Sequence, residues 1–487
     1  MVLFIWLFLE AIFWIYLRQT WIRLQRHLKP DTLPSDEERY RLYWNCVHTV
    51  TDDFEGWLTG WFLYTTGNDG QPEHPNFEEI QRENVALWLS WAFWCDSTEN
   101  VRMVDTFAAE LEWMIHTIEV MFKVKFPKGY NPHIRCIRPT LDSFSYVHRP
   151  LIAYAFNYLM TGTFNLLFLE MFAGYRRYGS NRPGIRWGML FHLFSSPPLR
   201  TTHSQTVKHS LGSTDDTQHY HLAYWYRKGK AASTTPILFI HGIGTGLNVY
   251  AEFIHRITAL DRPVFCIELP HVSSRLVEHV PTPQEIVSEI QVMLNTHGFD
   301  KAVVVAHSLG TAVASWIGNL APDLVAGLVL IDPICFLLHH HYVAYNMLYR
   351  VPKRPAEYFI HYFASRELYI SYYINRHFHW YQTAFFVVDE TNTSSKPPIL
   401  PNQKRDLKSP FHNSAVYLSE KDAIVNTHLI THYLIRQSVD TTVMTQLAHA
   451  EFLVRSEWRK RIMLDIENIV IKTEEKDEAV VFLDGKL

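Results

Sequence analysis

The chain has 487 residues, room for a large domain of roughly 250 residues and a second region. Its formal charge is only −4 with no long basic run, which argues against a nucleic-acid footprint. Five scattered cysteines (Cys46, Cys95, Cys136, Cys266, Cys335) form no CxxC pair, against a disulfide framework or zinc site, while 47% hydrophobic and 14% aromatic content leaves room for membrane contact.

The chain opens on "MVLFIWLFLEAIFWIYL", Met1 to Leu17, with Glu10 as its one charge, followed by Arg18, Arg23, Arg26 and Lys29. It lacks the basic start, shorter apolar run and small-x-small site of a cleaved signal peptide. A full span needs about 20 apolar residues, and a carboxylate at mid-bilayer is costly. Trp14, Trp21 and the basic flank suit an interface, so residues 1–29 are expected to be a membrane anchor. If it spans, the basic residues place that flank in the cytosol. The alternative is an apolar helix docked on the protein's own surface.

Residues 30–215 are expected to be a helical region ending in a linker. "STENVRMVDTFAAELEWMIHTIEVMF" predicts one amphipathic helix capped by Ser97 or Thr98. Val101, Val104, Phe107, Leu111, Met114, Ile115, Ile118 and Phe122 share its core face. Leu151 to Leu169 is uncharged but holds Asn157, Thr161, Thr163 and Asn165, so 151–173 reads equally as a second membrane helix or a buried one. A second span would move the rest of the chain to the other side of the membrane. From Tyr178 to about Asp216, Gly, Pro, Ser and Thr signal linker and loop.

Residues 216–472 then alternate short apolar runs with helical stretches: "YHLAYWYR", "PILFI", "PVFCIEL", "AVVVAH", "AGLVLI", "SAVYLS" and "TTVMTQ". "TPQEIVSEIQVML" starts a helix with Thr282, Pro283 and Glu285 as cap, first turn and capping-box partner. The alternation predicts an α/β fold with a mainly parallel sheet covered on both faces, its ligands at the carboxyl ends of the strands. Residues 473–487 form an acidic tail.

Polar residues gather at those strand ends. "PILFI" runs into His241-Gly242-Ile243-Gly244-Thr245-Gly246, glycines that let backbone approach a ligand; the dinucleotide pattern and the P-loop lysine are both missing. "VVVAHSLGTAV" ends a strand at Ala306-His307-Ser308-Leu309-Gly310 and continues as a helix. A Ser on that corner projects as a nucleophile, with the helix N-terminus behind it favouring an oxyanion. Small residues are needed two before and two after; Gly310 supplies one, and Ala306 stands where Gly is commoner. A Ser needs a base and the base an acid. Asp422 follows "SAVYLS" in a short loop, and His449 lies just past the last strand. The order Ser308, Asp422, His449 is the one expected of an α/β-hydrolase.

With HGIGTG, AHSLG, LVLIDP, SEKD and AHAEF in place, residues 219–470 resemble the α/β-hydrolase superfamily. "HGIGTGLNVY", "YNMLYRVP", "RHFHW", "RENVALWLSWAFW" and "HRPL" are similar to poorly characterised, predicted membrane-associated hydrolases common in fungi. The resemblance implies a nucleophile, Ser308; a base, His449; an acid, Asp422; and oxyanion donors from the Leu309 amide and the Ile243 or Gly244 amide. Ser419 and Ala448 stand where Gly is frequent, and neither change removes a reacting group. Asp332, ending "AGLVLIDP", is the rival acid, Glu420 a lesser one. Gly242 and Gly310 support the loops, and His241 and His307 are expected to hydrogen-bond loop backbone rather than act as base. His339-His340-His341 reads as a site lip or surface run rather than a metal site, and neither metal nor cofactor is expected.

Between "IDP" and "SAVYLS", residues 334–412 form an insertion in the cap position. It is dense in aromatics, including Tyr358, Phe359, Tyr362, Phe363, Trp380 and Phe385, which suits an apolar acyl group sheltered from water. Arg350, Lys353 and Arg354 lie among them. Asn392-Thr393-Ser394 is a glycosylation sequon, used only in a luminal location. The expected function is a membrane-anchored serine hydrolase cleaving lipid or acyl esters, single- or two-pass. The alternatives are acyl transfer by the same residues, or a catalytically idle scaffold binding partners through its helical half.

Overall fold

All seven apolar runs after residue 216 become strands of one eight-stranded sheet in a computed structural model that describes residues 1–50, 52–65, 72–179, 222–230, 235–387 and 410–484. Strands β1 (Phe62–Tyr64) and β2 (Ile134–Cys136) form a separate antiparallel pair. The large sheet comprises β3 (Arg176–Tyr178), β4 (Tyr224–Arg227), β5 (Ile237–Ile240), β6 (Val264–Ile267), β7 (Ala302–His307), β8 (Val325–Ile331), β9 (Ser414–Ser419) and β10 (Thr441–Met444). Its order is β10-β9-β8-β7-β5-β6-β4-β3, parallel from β10 to β6 and antiparallel at β4 and β3. Every residue of β5, β6, β7 and β8 is buried, because layers cover both faces; their continuous Val, Ile and Leu runs follow from that. Leu238, Val304 and Leu330 face one core with Ile286, Ile290 and Trp316. Phe239, Val303 and Val305 face the other with Phe253, Ile257 and Ile466.

Helices α1 (Val2–Leu24), α2 (Asp36–Thr49), α3 (Phe54–Thr59), α4 (Arg82–Trp94), α5 (Thr98–Arg102), α6 (Asp105–Met121) and α7 (Leu151–Thr163) precede the sheet. The single helix predicted from Ser97 is two. Ser97 caps α5, the chain extends at Val104, and α6 restarts with Asp105 in its first turn. Val104 is therefore exposed, whereas Leu111, Met114, Ile115 and Ile118 pack inward as expected. Within the sheet region, α8 (Ala251–Ala259), α9 (Pro283–Thr296) and α10 (Gly310–Leu320) follow β5, β6 and β7. The capping box at the start of α9 forms as predicted, Thr282 and Glu285 each accepting from the other's backbone. Helical pieces between β8 and β9, among them Pro355–Ile360 and Leu368–Arg376, form the cap. The strand β3 was not anticipated; it adds an antiparallel edge just before the expected linker. The sequon at Asn392 and most of the linker lie outside the described residues.

Two helices are long and apolar enough to cross a membrane, Val2–Leu24 and Leu151–Phe172, the second being α7 with its continuation. They lie against each other. Glu10 of α1 accepts the Leu151 N–H at 2.9 Å, satisfying an amide at the start of α7 that has no partner within the helix. The two helices differ in the face they turn inward. Asn157, Thr161 and Asn165 of the second are buried, while Ile152, Phe156, Leu159, Leu166 and Phe172 are exposed. On α1, Phe13, Leu17 and Leu24 pack with Phe144, Leu368 and Tyr369, while Leu3, Phe4, Leu7, Phe8 and Ile15 are exposed.

Candidate active site

Strand β7 ends in a corner whose shape the sequence dictates. Ser308 has φ +52°, a left-handed backbone that a non-glycine residue adopts at a cost of order 1–3 kcal/mol, held by its N–H on the Ile331 carbonyl at 3.0 Å. Helix α10 begins two residues later. A β-carbon on Gly310 would lie 2.4 Å from the Ile240 carbonyl oxygen, so only glycine lets helix and β5 meet there. Ala306 is accommodated because it still lies within β7, paired with Ile240 and Leu330.

Three residues distant in sequence meet at this corner. Ser308 Oγ lies 2.9 Å from His449 Nε2, and His449 Nδ1 lies 2.7 Å from Asp422 Oδ2. Asp422 Oδ1 accepts the Ile424 and Val425 amides, which fixes the carboxylate in its loop. Burial alone would push the His449 imidazole down, but the Asp422 carboxylate, with Asp332 behind it, pulls it up to about 9.

Asp332 sits beside the cluster in another role. Its two oxygens accept the Ser419 amide at 2.8 Å and the Ala450 amide at 2.9 Å, strapping the acid-bearing strand to the histidine loop. Burial would raise its carboxyl, yet His307 and His449 hold it below the usual range. Ligand atoms of Asp332, Asp422 and His449 lie within 4.8 Å of one another, and the carboxylate oxygens are occupied by these amides and the imidazole. Glu420 points elsewhere, accepting from Gln446.

The glycine loop after β5 offers donors, with one amendment to the sequence reading. The Gly244 amide is spent on the Val272 carbonyl at 3.0 Å, so of the two alternatives the Ile243 amide is the one with no partner among the described residues. The Leu309 amide likewise has no partner among the described residues. Both residues and His449 line one cavity with Ser308. His241 accepts the Leu269 N–H on Nε2, which assigns its proton to Nδ1, and it donates to the Gly242 carbonyl at 2.8 Å. Burial lowers it to about 4. His307, expected on loop backbone, instead pairs through its ring with the Tyr250 hydroxyl, which also accepts the Gly242 N–H; Tyr250 was not foreseen, though it closes the quoted "HGIGTGLNVY".

Two more unforeseen features bear on the site. Asn157 of α7 donates to the Ser273 and Ser274 carbonyls, and Ser274 Oγ donates to the Gly244 carbonyl. The outward-facing helix thus holds the glycine loop through two side chains. The run His339-His340-His341 is buried, contrary to the surface reading, because the helical half covers it. The His339 carbonyl accepts the Trp57 and Trp61 indoles, and the His341 ring packs on Gly60, where a β-carbon would collide with it. Burial pushes His340 to about 4 and His341 to about 3.

The cavity, about 360 Å³, is almost wholly apolar in lining. Phe359, Phe363 and Val249 at its edge are 63%, 47% and 52% exposed, which marks its mouth. Its other wall includes Trp61, Trp91 and Cys95 from the helical half, buried or half-buried.

Residues 235–366 match a family model described as the alpha/beta hydrolase fold. The chain is an α/β hydrolase by fold. A dihydrolipoyllysine-residue acetyltransferase component of the acetoin cleaving system of Pseudomonas putida is 32% identical over 111 residues, 23% of this chain and 30% of that protein. Lipase LipV of Mycobacterium tuberculosis is 31% identical over 104 residues, 20% of this chain and 36% of that protein. The chain spans about a third of the length of the curated relatives it matches. Among solved structures, a carboxylesterase of the thaumarchaeon Nitrososphaera gargenis aligns at 14% identity and TM-score 0.36, over 52% of this chain and 96% of that one. The carboxylesterase CesB of Bacillus subtilis aligns at 10% identity and TM-score 0.31, over 50% of this chain and 88% of that one.

Proposed function

We propose that this α/β hydrolase is a membrane-docked serine hydrolase that cleaves carboxylic esters with a long apolar acyl group. The observation that carries the reading is the unbroken line of contacts Ser308 Oγ–His449 Nε2 and His449 Nδ1–Asp422 at 2.9 and 2.7 Å, at the wall of an apolar cavity. In the reaction, Ser308 Oγ attacks the ester carbonyl as His449 takes its proton. Asp422 holds the imidazole tautomer and balances the imidazolium. The Leu309 and Ile243 amides donate to the oxyanion, an interaction typically worth a factor of about 10²–10³ per donor. His449 returns the proton to the leaving alcohol; it then deprotonates a water that releases the acid.

Support for docking comes from where apolar surface lies. Helix α1 and the outward face of α7 carry exposed Leu, Ile and Phe, and the cap adds exposed Tyr358 next to Phe359 and Phe363 at the cavity mouth. The Arg149 guanidinium lies 4.8 Å from the Tyr362 ring centroid, linking the start of α7 to that cap segment. Exposed apolar surface of this kind, with exposed Arg18 and Arg26 towards the carboxyl end of α1, suits a bilayer with anionic headgroups. The inward polar face of α7 fits a helix lying against protein on one side and lipid on the other.

The test is hydrolysis of a p-nitrophenyl acyl ester dispersed in phosphatidylcholine–phosphatidylglycerol vesicles. Wild type should release p-nitrophenol and float with the vesicles, and Ser308→Ala should float without releasing it. Release by Ser308→Ala equal to wild type would overturn the chemistry, and failure of both proteins to float would overturn the docking.

A further inference from the structure

The cavity that holds Ser308 and His449 is not built by the hydrolase sheet and cap alone. Trp61 lies just before β1, Trp91 on α4, and Cys95 caps that helix, all in the helical half. We infer that this helical half forms the closed end of the acyl pocket, and that Trp91 and Cys95 set the length of acyl chain accepted. The inference rests on the ester-hydrolase reading above and names the part of its substrate the pocket measures.

Three observations carry it. First, exposure orders the cavity. Its mouth is at exposed Phe359, Phe363 and Val249, whereas Trp61 and Trp91 are 3% and 5% exposed, so the helical half lines its buried part and supplies the bulkiest rings there. Second, this wall is rigid. The Trp91 indole donates to Thr140 Oγ1 at 2.8 Å, Trp61 to the His339 carbonyl at 3.0 Å, and Trp380 to the Ala92 carbonyl at 2.8 Å. Indoles so held cannot swing aside for a longer chain without leaving a buried N–H unpaired. Third, a volume of about 360 Å³ with an almost wholly apolar lining lies within the range of roughly 300–1,000 Å³ for small-molecule sites, so the size and shape of its wall limit what enters. The helical half thus completes the apolar wall of the site.

Alkyl fluorophosphonates of graded chain length test this on the full-length protein. In each reaction the Ser308 Oγ–P bond forms, fluoride leaves, and the hydroxyl proton passes to His449. The readout is the labelling rate of a long-chain probe over that of a short-chain probe. Trp91→Leu, which cuts back the wall, should raise the ratio; Cys95→Met, which builds it out, should lower it. Each shift should be about tenfold or more, the scale set by methylene-sized changes in apolar pockets. A ratio unchanged in both variants, with wild type still labelled, would overturn the length-setting role and leave the hydrolase reading intact. No labelling of wild type by any probe would overturn both. Should Trp91→Leu fail to fold, Cys95→Met decides alone.

Discussion

Asp332 and Asp422 are both buried carboxylates within reach of the same histidine, and their partners separate them. Asp422 bonds the imidazole; Asp332 bonds two backbone amides that join the loops. Asp422→Asn should therefore cost turnover heavily, about 10⁴-fold where an asparagine imposes the wrong tautomer. Asp332→Asn should instead act mainly on folding, because its amide group turns a donor towards an N–H, costing about 1–3 kcal/mol and lowering Tm. Steady-state rates and melts of the two variants check the assignment. The His449 imidazole, raised to about 9, also has a pH consequence. Its ion pair stabilises the fold fully below the unfolded value of about 6.5, and that contribution is lost as pH rises through 9. The neutral imidazole needed as base is scarce below 9, so kcat/KM should rise about tenfold per pH unit from 7 and level off above 9. A pH–rate profile flat from 6 to 9 would contradict it.

Among the elements, the central strands β5 to β8 were legible because a sheet covered on both faces must be written in unbroken apolar runs. The corner at Ser308 was legible because its glycine is forced. Gly310→Ala would press a methyl on the Ile240 carbonyl, and strain of this kind typically costs about 1–3 kcal/mol, readable as a lowered denaturation midpoint. The rest depended on tertiary neighbours that local pattern does not encode. Three residues of β3 are too few to show a period, and the break at Val104 interrupts an intact 3.6-residue repeat. The spending of the Gly244 amide on Val272 was invisible because β6 and its following turn lie some thirty residues away. Asn157 was noted only as a polar residue in an apolar helix; its donation to the Ser273 and Ser274 carbonyls gives that polarity its reason.

For the whole molecule, the helical half and the hydrolase region share one cavity, which explains why His339, His340 and His341 are buried rather than exposed. The same arrangement puts the cavity mouth beside the exposed apolar helices. Replacing Phe359 and Phe363 together by Ser should weaken vesicle binding about a hundredfold or more, since burying each aromatic in lipid contributes about 1.5–3 kcal/mol. Unchanged flotation would place the membrane contact elsewhere.

The central claim is that Ser308 is activated by His449. Its most direct measurement is the mass spectrum of the protein after treatment with a fluorophosphonate, followed by peptide mapping. The account predicts a single adduct on the peptide carrying Ser308, formed far more slowly in His449→Ala. An adduct on another residue, or none on a folded protein, would contradict it.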